Sequence, residues 1–391
     1  MEINSAHLTF CTNIYAGESW AAHFTVLKDS FPVLKAKLSS EKPMGIGLRL
    51  SNLASIEILH ENHLEEFKQW LTTVGGYVFT MNGFPYGGFH HTRVKDQVHA
   101  PDWTTNERFD YTIRLFKILA EIIPEGIEGG ISTSPLSYKP WFSTSNEQEI
   151  ATATATENIL KVAEELRNIK ERTGKTLHLD IEPEPDGFLE SGPEFIDWYE
   201  NVLLKSGKLT EDIIKEHITL CYDVCHFAIG YEPHAEIINE LTEKGILVGK
   251  IQISAALKAK LPEAVSERTA VVNELARFDE PTYLHQVIAK QNNGTLVRYP
   301  DLSNALADKE NTNATEWRAH FHVPIFVEDM GLIQSTQSDI KAVLEYHKSN
   351  AFTNHIEVET YTWEVLPISL KAPLNDSIAR ELQWVKNILE S

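Results

Sequence analysis

Cysteine is scarce in this chain of 391 residues: Cys11, Cys221 and Cys225 are too few and too unevenly placed to form a disulfide framework. The CYDVC spacing also departs from a metal-binding CxxC, so the thiols read as small buried residues in a reducing compartment. Basic residues are outnumbered, 35 Lys and Arg against 56 Asp and Glu, for a formal net charge of −21. With no Lys/Arg-rich run to offset that charge, a phosphate backbone would gain nothing from counterion release, and nucleic acid is excluded as the expected partner. No apolar stretch approaches the roughly 18 residues of a membrane span, so an integral membrane protein is not expected. The N-terminal MEINSAHLTF lacks the basic and apolar regions of a secretory signal, and the expected location is the cytoplasm. Linkers rich in Gly, Ser or Pro, sequence repeats and low-complexity tracts are also missing, which predicts a single domain over 1–391.

What the chain does have is alternation. Short strand-like runs at 7–14, 45–50, 77–81, 131–134, 177–182, 218–223, 248–254 and 356–360 are separated by segments with helical spacing. The helical segments include 18–38, 56–74, 106–123, 147–172, 234–244, 262–276 and 377–389. Eight strand-then-helix units predict an α/β fold, a (β/α)8 TIM barrel. Residues 278–328 break the rhythm with an Asn-Asn-Gly turn and two extended runs, and they read as an insertion near the barrel mouth, between the seventh and last strands. The alternative is that 320–326 is itself a barrel strand.

Three of the apolar runs, LHLDIEPEP, ITLCYDVCH and HIEVETYTW, end in an acidic residue. A buried carboxylate is costly unless it is paired or bound to a cation. Alternation puts His178, Asp180 and Glu182 on one strand face, Lys250, Gln252 and Ser254 on another, and His355, Glu357, Glu359 and Tyr361 on a third. Such polar faces imply a charged barrel interior, either a functional site or a set of internal ion pairs. Glu182, Asp223 and Glu359 lie nearest the strands' C-terminal ends, where barrel active sites form, and are candidate ligands for one divalent ion: Zn, Mn, Co or Mg. Asp180 and Glu357 sit deeper and are expected to orient those ligands. His226 follows Asp223 in a DxxH spacing that can aim both side chains at one mouth. His320 and His322 share a face, and either can point to the site or into packing. The aromatic loops place Phe84, Tyr86, Phe89 and Trp141, with His90 and His91, as candidate walls for a small ligand.

Glu182-Pro183, Asp223xxHis226, the polar strand end at Gln252 and the final Glu359-Thr360 resemble the strand-end series of the xylose-isomerase-like TIM-barrel superfamily of sugar isomerases and epimerases. Over nearly the whole length, HLTFCTNIYAGESW, FTMNGFPYGGFH, VHAPDWTTNERFDYT, STSPLSYKPWF and EVETYTWEVLP are similar to the EboE family of metabolite-traffic proteins from bacterial ebo operons. The resemblance implies a metal held by Glu182, Asp223 and Glu359, with Gln252 where a histidine is usual and His322 as a substitute nitrogen donor. It implies catalysis by Glu182, Glu359 and His226 and substrate contact through His226, alongside the loop residues Tyr86, His90 and Trp141. The activity implied is isomerisation or epimerisation of a small hydroxylated metabolite in secondary-metabolite processing or export. A barrel that binds the metabolite without converting it and hands it to a prenyltransferase-like membrane protein is the alternative.

Overall fold

The computed structural model describes residues 1–90, 93–364, 366 and 371–391. Its main sheet contains β1 (Glu2–Ile3), β2 (Ala6–Phe10), β3 (Met44–Arg49), β4 (Gly76–Asn82), β5 (Gly129–Thr133), β6 (Leu177–Ile181), β7 (Ile218–Asp223) and β8 (Val248–Ile253). After an excursion the sheet is completed by β14 (His355–Val358), which inserts in parallel between β2 and β8. The order is β1-β2-β14-β8-β7-β6-β5-β4-β3, and a parallel bridge from Cys11 to Gly47 brings the two edges together. Apart from the two-residue β1, all strands of this sheet are parallel, as a (β/α)8 barrel requires. Each of the eight runs expected from the sequence is found as a barrel strand.

Local chemistry starts the outer helices. Ser19, Ser51, Thr105 and Ser191 each accept a hydrogen bond from a backbone N–H in the first turn of the helix that follows. Thr144 and Glu147 form a reciprocal capping box at the head of the 29-residue helix Ser145–Thr173. Where strand edges meet, side-chain volume is limiting. A Cβ on Gly47 would stand 1.8 Å from Glu357 Oε1 and 2.7 Å from the Phe10 carbonyl. On Gly249 it would stand 2.0 Å from Asp180 Oδ1. Both glycines make room for charged side chains inside the barrel.

The excursion forms a second sheet from β9 (Ala255–Lys260), β10 (Val287–Gln291), β11 (Leu296–Tyr299), β12 (Ala314–Val323) and β13 (Gln334–Ser335), in the order β11-β10-β12-β9-β13. His320 and His322 therefore lie in this sheet and not in a barrel strand. The chain turns directly from β8 into β9, whereas the Ala-rich AALKAK lacks the β-branched residues that mark a strand in sequence. The helix expected at 262–276 is present as Val265–Leu275, but it belongs to the excursion. The helix that returns the chain to the barrel is Gln337–Ser349.

The barrel interior is charged at mid-height. Lys250 and Glu357, both fully buried, pair at 2.5 Å, and Lys250 Nζ also donates to Thr80 Oγ1 at 3.2 Å. The pair is one of the internal ion pairs the strand faces allowed. Its loss on one side leaves an uncompensated buried charge, so Lys250→Met is expected to cost about 3–5 kcal/mol. The double variant Lys250→Met/Glu357→Leu should regain most of it, as measured by urea unfolding. A second buried acid, Glu381 on the C-terminal helix, accepts from Ile325 N and Thr360 Oγ1, and burial pushes its carboxyl up to about 8. Between pH 4.5 and 8 the unfolded chain gives up this proton and the folded chain retains it, so the group lowers stability as pH rises. Glu381→Gln is expected to raise the melting temperature at pH 8 and to change it little at pH 4.5, in paired thermal scans.

Candidate metal and substrate site

The C-terminal ends of β6, β7 and β14 bring three carboxylates together. Glu182 follows β6, Asp223 ends β7 and Glu359 follows β14; oxygens of all three lie within 4.8 Å of one another, and all three side chains are buried. One oxygen of Asp223 and one of Glu359 are held by hydrogen bonds. Asp223 caps the short helix Val224–Ile229, its Oδ1 accepting from Cys225 N at 2.8 Å, His226 N at 3.3 Å and Ser254 Oγ at 2.5 Å. Glu359 Oε1 accepts from Asn13 Nδ2 at 2.7 Å and Asn82 Nδ2 at 2.8 Å. Asp223 Oδ2 and Glu182 Oε2 are buried without a hydrogen-bond partner. Burial first, then the neighbouring carboxylates, pushes Glu182 and Glu359 well above the usual carboxyl range.

Histidines stand beside this cluster with their ring orientations fixed. His226 Nδ1 faces the Pro183 carbonyl at 2.9 Å, and His322 Nδ1 faces the Glu359 carbonyl at 3.0 Å, so both nitrogens must donate. His320 Nδ1 lies 2.9 Å from Gln286 Oε1, and the Gln286 amide is itself oriented by donating to the Pro185 carbonyl. That leaves the Nε2 lone pairs of His226 and His320 facing one another at 3.2 Å. Two lone pairs at that distance repel unless a proton, a donor group or a cation lies between them. Burial holds His320 well below the normal imidazole range, which disfavours the proton. Two nitrogens each about 2.0–2.1 Å from a tetrahedral ion stand roughly 3.3 Å apart, so the spacing suits a cation. His322 Nε2 is buried and unpartnered, and burial lowers its pKa to about 4, leaving it neutral and able to ligate. Ligating atoms of His322, Asp223 and His226 lie within 4.8 Å of one another.

Other expected residues are placed differently. Gln252 reaches the same level, but its Oε1 accepts from Cys221 Sγ at 2.7 Å, which turns the amide nitrogen towards Glu359. In this orientation Gln252 offers no oxygen to an ion. Asp180 accepts from Thr219 and His178, and Glu357 pairs with Lys250, so neither orients the mouth carboxylates by a hydrogen bond. The mouth pocket is walled by Phe84, Phe89, Tyr283 and Tyr361, whereas Tyr86 and Trp141 do not line it. The Tyr86 ring packs on Tyr111 and Arg108, and Trp141 Nε1 donates to Asp96. His90 is turned away as well, its Nε2 meeting the Asn13 carbonyl at 2.6 Å, where it anchors the loop rather than facing a ligand. His91 falls outside the described residues. The pocket volume is about 50 Å3, room for a few waters, so a sugar-sized ligand requires the aromatic loop to shift.

Several participants were not visible in the sequence. Asn13 and Asn82 end apolar runs much as the acids do, and that position was their only signal. Glu184 Oε1 lies 2.8 Å from His99 Nε2, the acid groups with His226 and His320, and its only sequence signal is its place as the second acid of EPEP. Gln286 and Tyr283 come from a segment with no periodicity.

No protein-family model matches the chain, and no curated protein sequence does. Among solved structures it is similar to a xylose isomerase-like TIM-barrel protein from Mycobacterium smegmatis in complex with magnesium, at 10% identity, covering 100% of this chain and 98% of that one, with a TM-score of 0.51. It is also similar to IolI protein with a bound zinc atom, at 13% identity over 98% of each chain and a TM-score of 0.49. A third is a D-tagatose 3-epimerase-like protein, at 10% identity, 98% and 97% coverage and a TM-score of 0.48. Parallel eight-stranded topology makes this chain a TIM barrel, and over its whole length that fold is similar to the xylose isomerase-like barrel from Mycobacterium smegmatis.

Proposed function

We propose that the protein is a metal-dependent isomerase or epimerase acting on a small hydroxy-carbonyl compound. The observation that carries this reading is the convergence of Glu182, Asp223 and Glu359, with Glu182 Oε2 and Asp223 Oδ2 unpartnered, beneath an aromatic-walled pocket. The donor set fits a divalent cation: carboxylate oxygens from three strands and the free Nε2 of His322. Bound there, such an ion supplies Lewis-acid polarisation of adjacent carbonyl and hydroxyl oxygens. Glu359 and Glu182 stand on β14 and β6, with β8 and β7 between them, and so reach a substrate from different sides. Their raised proton affinity suits them to take a proton from the carbon next to the carbonyl and to return one. Asn13 and Asn82 orient Glu359 for that task, and the Nε2 of His226 or of His320 accepts from a substrate hydroxyl. Placing this chemistry in secondary-metabolite processing or export, with transfer to a membrane partner, rests on the resemblance of the sequence motifs alone. Among the described residues no helix is long and apolar enough to cross a membrane.

Exchange of substrate carbon-bound hydrogen in D2O, followed by NMR over a panel of ketoses and hydroxyketones with added Mn2+, Co2+, Mg2+ or Zn2+, tests the reaction. Exchange lost by about 10²-fold or more in Glu182→Gln supports it. A ligand that co-purifies but shows no exchange with any of the metals overturns catalysis in favour of a carrier.

For the metal, His322→Ala is expected to weaken Zn2+ or Co2+ binding about tenfold or more, whereas Gln252→His changes it little because a nitrogen donor is already present. Strong tightening in Gln252→His with no loss in His322→Ala would assign the nitrogen position to residue 252 instead. Affinity should also fall as pH is lowered: the raised carboxyls take up protons first, and only their deprotonated forms ligate. Calorimetric titrations at several pH values read that slope.

A further inference from the structure

At the opposite end of the barrel, where the strands begin, a second cluster of ligating side chains lies outside the proposed active site. His178 is on β6 and His355 opens β14, and both are buried; Glu128, just before β5, is exposed at the rim. One ligating atom from each of Glu128, His178 and His355 lies within 4.8 Å of the others. Along β6, His178 and Glu182 are four residues apart, about 13 Å at strand rise, so one ion cannot serve both ends.

Three observations separate this cluster from ordinary packing. His355 is fully buried, and the Glu128 backbone meets at most one of its ring nitrogens, which leaves the other desolvated without a hydrogen-bond partner. His178 Nδ1 contacts Asp180 Oδ1 at 2.5 Å, and Thr219 Oγ1 donates to the same oxygen at 2.5 Å. A carboxylate behind Nδ1 fixes the proton there and turns the Nε2 lone pair outward, the arrangement that orients histidine ligands on metals. A cavity of about 460 Å3, lined by His7, Glu128, Lys175, Asn354 and His355, gives an ion a route in from solvent. Glu128 Oε1 is steadied by Asn354 Nδ2 at 3.2 Å.

We infer that Glu128, His178 and His355 form a second, rim-side site for a borderline divalent ion of the Zn2+ or Co2+ type. Two imidazoles and one carboxylate favour such an ion over Mg2+ or Ca2+, which prefer all-oxygen sites. The ion would tie the starts of β6 and β14 to the β5 edge and supply the partner His355 lacks. The inference is independent of the chemistry proposed at the mouth.

Equilibrium dialysis of the full chain with Co2+ and with Zn2+ tests it, using variants that address the two ends separately. Glu182→Gln should lose or weaken the mouth ion and leave one equivalent bound. Glu128→Ala, an exposed substitution that leaves folding intact, should weaken the remaining equivalent about tenfold or more. In the Glu182→Gln background, Zn2+ should raise the melting temperature, and Glu128→Ala should abolish that rise. His355→Asn should act in the same direction, and if it fails to fold, Glu128→Ala alone decides. The inference is overturned if Glu182→Gln binds no ion, or if its remaining ion is held equally well with Glu128 replaced by Ala.

Discussion

Burial of like charge at the barrel mouth is the constraint on which the rest of this structure depends. Glu182, Asp223 and Glu359 meet within 4.8 Å because parallel strands in one barrel must aim their last inward residues at one point. Without a cation, such carboxylates either protonate or repel, and burial drives Glu182 and Glu359 towards the protonated form. Their supports are one-sided: amides on Glu359, helix N–H groups and a hydroxyl on Asp223. Each support fixes one oxygen and leaves the carboxylate's other side for a ligand. Neutralising the cluster from within the protein would need a cation such as Lys250, but Lys250 is committed one layer down to Glu357.

The excursion after β8 makes sense against that constraint. Residue 252, on β8, is a glutamine whose amide oxygen is taken up by Cys221. The nitrogens near the carboxylates come instead from His320 and His322 on β12, a strand of the second sheet, and from His226 in the short helix after β7. Their Nδ1 atoms are tied to carbonyl or amide oxygens on the barrel or the excursion, which fixes each ring in one tautomer. Tyr283 from the same excursion walls the pocket, and the Thr282 carbonyl accepts from Val94 and Lys95 of the aromatic loop. The second sheet is thus part of the mouth, joining ligand geometry to the loop that covers it.

The barrel strands were legible because parallel strands buried on both sides leave short apolar runs, and because a period of two shows which polar residues turn inward. The terminal acids followed from the same pattern. What could not be read was anything that depends on contact between distant segments. β9 leaves no mark in the sequence because Ala and Lys carry little strand signal, so the helix at 262–276 reads as following β8 directly although it belongs to the excursion. Tyr86 and Trp141 were expected at the mouth because aromatic loops follow strand ends, but an aromatic side chain is equally satisfied by packing on Tyr111 or by donating to Asp96. Composition cannot tell those outcomes apart. Asn13 and Asn82 went unnoticed because a neutral amide at a strand end carries no cost that demands explanation, unlike a carboxylate.

Buried histidines at both ends of the barrel follow one physical rule, with different results. At the mouth, His226, His320 and His322 have Nδ1 satisfied, the Nε2 atoms of His226 and His320 face one another, and Nε2 of His322 is buried without a partner. At the rim, His178 is oriented by Asp180, yet at most one nitrogen of His355 is met, by the Glu128 backbone. A wholly structural His355 would be better served by an apolar ring of similar size, since it packs against Phe79 and His7 and at least one of its nitrogens goes unmet there. The desolvation cost of that nitrogen is offset if something outside the chain meets it, and the cavity beside it is where such a partner can enter.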